Sequence, residues 1–224
     1  DAQIDALRGR YICVSNVHTT VMAYEDEHYR AIQNSAAMAL PDGGPLSRYS
    51  RAAGFREAER VTGPDLMVEL FRISGQKRYR HFFYGSTQQT LDDMRTALLR
   101  DYPDMVIAGM YAPPFRALTA EEDREITARI NDARPDFIWV GLGAPKQEEW
   151  MYDHRGKLDA VAVGVGAGFD YLAGNIKRAP RLMQALCLEW LYRLMQDPKR
   201  LWRRYVTTNA KFLRYIVREK LTGK

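Results

Sequence analysis

Short β-branched and aromatic runs alternate along the chain with longer stretches in which apolar positions return at helical spacing. Alternation of this kind predicts an α/β domain: a mostly parallel, Rossmann-like sheet flanked by helices. The strands are expected at Tyr11–Val14, Met38–Leu40, Tyr79–Tyr84, Met105–Met110, Phe137–Val140 and Ala160–Val165. Helices are expected at Thr20–Ala36, Gly44–Ala53, Pro64–Gly75, Thr87–Asp101, Thr119–Ala133, Pro145–Tyr152 and Pro180–Gln196. Thr119 followed by Glu122 has the spacing of a capping box, and Pro64 and Pro145 stand where a helix can begin without losing a bonded N–H.

Pro198 is the clearest boundary. Before it, Leu182, Met183, Leu186, Cys187, Trp190, Leu191 and Leu194 recur at helical spacing and predict a helix packed on the core. After it, Leu201, Trp202, Tyr205, Phe212 and Ile216 form an apolar stripe beside a basic one, the pattern of a helix lying on an anionic interface. The chain thus divides into a domain over 1–196 and a basic amphipathic appendage over 197–224, expected to dock on a membrane surface.

Charge sharpens that division. The total is +5, yet from residue 191 onward ten basic residues, from Arg193 to Lys224, face only Asp197 and Glu219. That segment carries +8 and leaves −3 for the first 190 residues, so a mildly acidic body bears a tail suited to an anionic partner. No apolar run approaches the roughly 20 residues that span a bilayer. The two cysteines, Cys13 and Cys187, lack C-x-x-C spacing and are expected to be reduced core residues in a cytosolic compartment.

Polar and glycine-rich loops follow several expected strands, where ligands bind in open α/β sheets. They are Ser15–Thr19, Pro41–Pro45, Gly141–Glu148 and Gly164–Asp170. In the last, Gly164, Gly166 and Gly168 would let backbone N–H groups approach a phosphate, although the spacing is not the dinucleotide fingerprint and no helix-opening pattern follows. Asp42 admits two readings, a turn residue bonding its own backbone or a general base at a pocket mouth. Glu148 and Glu149 fall in a first helical turn, where acids favour the helix dipole. The four histidines are scattered and no Asp-x-Asp occurs, so no metal site or cofactor is expected, and a diphosphate would be neutralised by Arg, Lys and backbone N–H groups.

Longer motifs go further. Pro41-Asp42-Gly43, Arg60-Val61-Thr62-Gly63-Pro64-Asp65-Leu66, Gly141-Leu142-Gly143-Ala144-Pro145-Lys146-Gln147-Glu148-Glu149-Trp150, Gly174-Asn175-Ile176-Lys177-Arg178-Ala179-Pro180 and Leu188-Glu189-Trp190-Leu191-Tyr192-Arg193-Leu194 occur in this order. Together they resemble the WecG/TagA/CpsF glycosyltransferases, from about residue 11 to about residue 205. The resemblance implies metal-free transfer of a hexose or N-acetylhexosamine-type sugar from a UDP-sugar donor to a polyprenyl-diphosphate-linked sugar acceptor. The setting would be the cytoplasmic face of the plasma membrane, held peripherally.

The resemblance also assigns roles. Asp42 would be the catalytic aspartate, supported by Arg60, Gln147 and Asn16, with Arg193, Arg200 and Arg203 closing over the site from the appendage. Apart from the resemblance, Gly141, Gly143, Lys146, Gly164, Gly166 and Gly168 are expected to bind substrate from their place in the glycine loops, the last three at the nucleotide diphosphate. Val14 stands where the family often carries threonine, so one polar contact to the sugar is not carried over. Two other readings stay open: a non-catalytic nucleotide-sugar binder, and a nucleic-acid-binding protein, against which the acidic body argues. The oligomeric state is left open, including a homo-oligomer.

Overall fold

The computed structural model describes residues 2–222, so Lys224, the last basic residue of the tail, lies outside the described residues. The strands are β1 (Tyr11–Ser15), β2 (Met38–Pro41), β3 (Arg80–Gly85), β4 (Val106–Tyr111), β5 (Phe137–Gly141) and β6 (Val161–Gly164). They form one sheet in the order β2-β1-β6-β5-β3-β4, with every neighbouring pair parallel. The protein is therefore the α/β fold that the alternating pattern predicts, with each expected strand present to within a residue or so.

The inner strands β1, β6, β5 and β3 feed both faces of the sheet, because successive side chains point to opposite sides. On one face Ile12, Val14, Phe83, Phe137, Trp139, Val161 and Val163 join a buried core, and on the other Tyr11, Cys13, Phe82, Tyr84, Ile138, Val140 and Ala162 join a second. Val14 is thus a core side chain.

The helices that cover these faces are α1 (Ala2–Asp5), α2 (Val17–Glu25), α3 (Glu27–Ser35), α4 (Gly44–Ala52), α5 (Gly63–Lys77) and α6 (Gln88–Asp101). They continue as α7 (Ala120–Asp132), α8 (Lys146–Asp153), α9 (Gly168–Leu172), α10 (Arg181–Ala185), α11 (Glu189–Gln196) and α12 (Pro198–Thr222). The capping box expected at Thr119 and Glu122 is formed at the start of α7.

Three expectations need correction. The single helix expected over Thr20–Ala36 is two, because Asp26 takes an extended backbone and its carboxylate accepts from the Tyr29 N–H at 3.1 Å, capping α3. The loop Gly164–Asp170, read as opening no helix, leads directly into the short α9. The helix expected over Pro180–Gln196 is also two, parted at Cys187, which has φ 61° and is only half-buried. That segment does not pack its apolar face on the core: Leu182 is 71% exposed, Leu186 56% and Met195 60%.

The tail differs from expectation in a way that matters for function. Leu201 and Phe212 of α12 are buried, and Phe212 packs with Val21 of α2 and Leu46 of α4, with Tyr215 and Ile216 alongside. Lys211 pairs with Glu25 at 2.8 Å, and Tyr215 stacks on Tyr24. The stripe of Leu201, Phe212 and Ile216 therefore serves the protein's own interior rather than an external surface. A different set, Trp202, Val206, Leu213, Val217 and Leu221, is exposed and recurs at helical spacing along another side of α12. Among the described residues no helix is long and apolar enough to cross a membrane.

Candidate active site

Because the strands run in parallel, their carboxyl ends share one edge of the sheet, and the candidate loops gather there. Asn16 follows β1, Asp42 follows β2, Gly143 to Gln147 follow β5, and Val165 to Gly168 follow β6. The Asp42 N–H donates to the Ser15 carbonyl at 2.6 Å, prolonging the β1–β2 ladder by one bond. Val61 N–H in turn donates to the Pro41 carbonyl at 3.0 Å, which sets Arg60 beside the end of β2.

The Asp42 carboxylate is half-buried and accepts no hydrogen bond among the described residues, so it is not the self-bonded turn residue of the blander reading. Loss of water and the nearby Glu189 carboxylate push its pKa up to about 7; Arg60 opposes this, Asp65 adds to it and Arg193 opposes it. A carboxyl poised near neutrality and free of internal partners is suited to accept a proton.

Arg60 is tied to Glu189 of α11 by an ion pair. Arg193, one helical turn beyond Glu189, donates to the Tyr171 hydroxyl at 3.0 Å with its guanidinium over the same ring at 5.2 Å. Asp65 binds Arg178 at 2.6 Å and accepts from the Thr62 hydroxyl at 2.7 Å. The fold thus brings Asp42, Arg60 and Arg193 together with Glu189, Asp65 and Tyr171, three residues to which the sequence reading gave no role. Asp65 and Glu189 did lie within the quoted motifs, which was the available signal.

Gln147 and Glu148 at the start of α8 are both buried. Gln147 Nε2 donates to Glu148 Oε1 at 2.7 Å, and Gln147 Oε1 accepts the Gly166 N–H at 3.0 Å. Glu148 does lie in the first turn of α8, as expected, and is in addition buried and bonded by Gln147. Burial raises its pKa to about 6, and its bond from Gln147 works in the opposite direction. The pair fixes the amide orientation of Gln147 and through it the loop at Gly166, whose φ of 53° suits a residue without a side chain. Gly141, Gly164 and Gly168 have packing reasons of their own: a Cβ there would come within 3 Å of Phe169, Met151 and Met67 respectively.

The remaining candidates are placed as follows. Asn16 caps α2, its Oδ1 accepting from the N–H groups of His18 and Thr19. Gly143 lies in the loop before α8 with φ 77°, and Lys146 opens α8 exposed to solvent. Arg200 and Arg203 are exposed on α12; Arg200 pairs with Asp197 at 2.6 Å, and no hydrogen bond or ion pair among the described residues joins either to the Asp42 cluster. No three His, Cys, Asp or Glu side chains among the described residues gather as a metal site.

The glycosyl transferase WecG/TagA/CpsF family matches this sequence over residues 1–224. The chain belongs to that family. This WecG/TagA/CpsF glycosyltransferase is 34% identical over 228 residues to an N-acetylglucosaminyldiphosphoundecaprenol N-acetyl-beta-D-mannosaminyltransferase of Bacillus spizizenii, covering 99% of this chain and 86% of that protein. A Bacillus subtilis protein of the same description is 33% identical over 97% of this chain and 83% of its own length. One from Staphylococcus aureus is 31% identical over 86% of this chain and 74% of its own.

Proposed function

We propose that this family member is an inverting, metal-independent transferase that moves an N-acetylhexosamine, in the first instance N-acetylmannosamine, from a UDP-sugar to a polyprenyl-diphosphate-linked N-acetylglucosamine. The relatives' names supply the sugar and acceptor, and one observation carries the chemistry: a half-buried, unpartnered Asp42 carboxylate with its proton affinity raised to about pH 7, at the ligand-binding edge of the sheet. In a single displacement the acceptor hydroxyl gives its proton to Asp42 as its oxygen bonds to the anomeric carbon. The bond from that carbon to the UDP oxygen breaks on the opposite face, and UDP leaves with the electron pair.

Arg60, held against Glu189, and Gln147, held by Glu148, orient the reactants. The loop Gly164 to Gly168 offers the Gly166 region to the nucleotide diphosphate, with Gly141, Gly143, Lys146 and Asn16 along the same edge. Arg193 offsets developing phosphate charge from its seat on Tyr171, joined by Arg200 and Arg203 when the appendage over 197–224 settles on substrate. That appendage meets the cytoplasmic face of the plasma membrane through the exposed arc of Trp202, Val206, Leu213, Val217 and Leu221, beside basic residues that include Arg203, Arg214 and Arg218.

The test is a panel of UDP-sugars, UDP-N-acetylmannosamine first, offered with a short-chain polyprenyl-diphosphate N-acetylglucosamine and read by mass spectrometry. A product one N-acetylhexosamine heavier supports the reading. Binding of UDP-sugars with no product from any donor would make the protein a nucleotide-sugar binder instead.

A further inference from the structure

An open cleft of about 510 Å³ shares Arg60 with the Asp42 cluster, and its other lining residues have no part in the displacement chemistry or the nucleotide loop described above. Its walls are α4, the segment leading to Arg60, and α10 with the Cys187 turn. Four arginines line it, Arg48, Arg51, Arg60 and Arg181, against the single acid Glu59. Arg60 is already paired with Glu189, whereas Arg48, Arg51 and Arg181 are exposed and have no hydrogen bond or ion pair among the described residues. Three guanidinium forks converging on one concave surface suit an oxyanion carrying more than one charge, because each can meet phosphate oxygens bidentately.

Two further features say which anion. Next in sequence to the lining residues Arg181, Ala185 and Cys187, Leu182 of α10 and Leu186 at its end are exposed to solvent, so apolar side chains adjoin the arginine-lined wall. A free nucleotide has no use for the apolar side chains; an isoprenoid diphosphate uses both these and the arginines. Position on the sheet agrees. One wall, α4 with Glu59 and Arg60, follows the edge strand β2, at whose end Asp42 stands, while the other, α10 with Cys187, comes after β6 and α9. In an inverting displacement the acceptor and the leaving group occupy opposite faces of the sugar.

We propose that the cleft of Arg48, Arg51 and Arg181 binds the diphosphate of the lipid-linked acceptor and that the exposed face of α10 receives the first isoprene units of its chain. The assignment rests on the transferase reading above. It adds three residues to the substrate-binding set and separates the acceptor's diphosphate from the donor's.

The experiment compares the full chain with R48A/R51A, R181A and R48K/R51K. Titration with farnesyl diphosphate, inorganic diphosphate and UDP gives binding independent of turnover, and steady-state assays give KM separately for lipid acceptor and UDP-sugar. For R48A/R51A and for R181A we expect about a tenfold rise in the farnesyl diphosphate Kd and in the acceptor KM, with UDP binding and donor KM unmoved and the lysine pair restoring part of the loss. Farnesyl diphosphate should also bind more tightly than inorganic diphosphate, a gap that L182S/L186S narrows. If UDP affinity falls instead, the cleft holds the nucleotide and the proposal is wrong. If no constant moves, the arginines are a solvated face and it is equally wrong. Should the wild type transfer no sugar yet lose farnesyl diphosphate binding in R48A/R51A, the cleft stands and the transferase reading falls; transfer with an unmoved acceptor KM sinks the cleft alone.

Discussion

Arg60 and Glu189, 129 residues apart in sequence, form an ion pair that joins the end of β2 to α11. The same Glu189 carboxylate contributes, after burial, to the raised proton affinity of Asp42. One acid therefore both holds the arginine proposed to orient substrate and raises the proton affinity of the proposed base beside it.

Glu189→Gln separates those effects from folding. Asp42 is faced by Glu189, Arg60, Asp65 and Arg193, and removing one negative charge while freeing Arg60 makes its ionisation easier. The acidic limb of the pH profile of kcat/KM, which reports the free enzyme's base, should move down by on the order of one pH unit. An unmoved limb with reduced activity would mean that Glu189 only braces Arg60.

Asp42→Asn removes the proposed base without changing its shape, and turnover should fall about 10²–10⁴-fold. Stability should move the other way. A carboxyl whose folded pKa is raised favours the folded state below the ordinary carboxylate range, and that advantage is lost as pH rises through about 7. The neutral asparagine has no such loss, so the variant should match the wild type near pH 4 and exceed it at pH 8 by on the order of 1–3 kcal/mol. Thermal melts at both pH values check the sign, and a variant less stable at pH 8 would contradict the raised pKa.

What could be read in the sequence followed from how local its cause is. Buried parallel strands such as Phe137–Gly141 are apolar on both faces and stand out as runs, which is why the sheet was visible residue by residue. Asp42 and the glycine loops were visible because they occupy strand ends. The break at Asp26 had a local signal, an aspartate ahead of Glu27, that helical periodicity on both sides concealed. The break at Cys187 had none: a cysteine at φ 61° that packs against Gly44, far away in sequence, carries no turn signal of its own. Partners across the fold, Glu189 for Arg60 or Arg178 for Asp65, depend on which loops the sheet order brings together, and no spacing encodes that.

The Gly44–Cys187 contact can be tested directly. A Cβ on Gly44 would lie 1.9 Å from the Cys187 Sγ and 2.9 Å from its Cβ, so Gly44→Ala should destabilise by about 1–3 kcal/mol through overpacking. Cys187→Gly removes both atoms and relieves the left-handed backbone, leaving the nearest remaining neighbour, Cys187 Cα, at 3.7 Å. The double variant should recover most of the loss. Additive losses in thermal melts would show that the two sites do not share this contact.

The two apolar faces of α12 should respond oppositely to substitution. Phe212 is buried between α2 and α4, so Phe212→Ala should cost about 3–5 kcal/mol, less where α12 can shift to fill the space, and should lower the melting temperature. Leu213 and Val217 are 63% and 55% exposed, and L213E/V217E should leave melting within about 0.5 kcal/mol of the wild type in free energy. On vesicles containing phosphatidylglycerol the order reverses. The double glutamate variant removes apolar contact and adds two negative charges to a face whose neighbouring basic residues are worth about 1 kcal/mol each near an anionic surface. It should stay in the supernatant where the wild type sediments. If it sediments as the wild type does, the exposed arc is not the membrane face. If it melts early, that arc is packed on the protein and the division of labour along α12 is wrong.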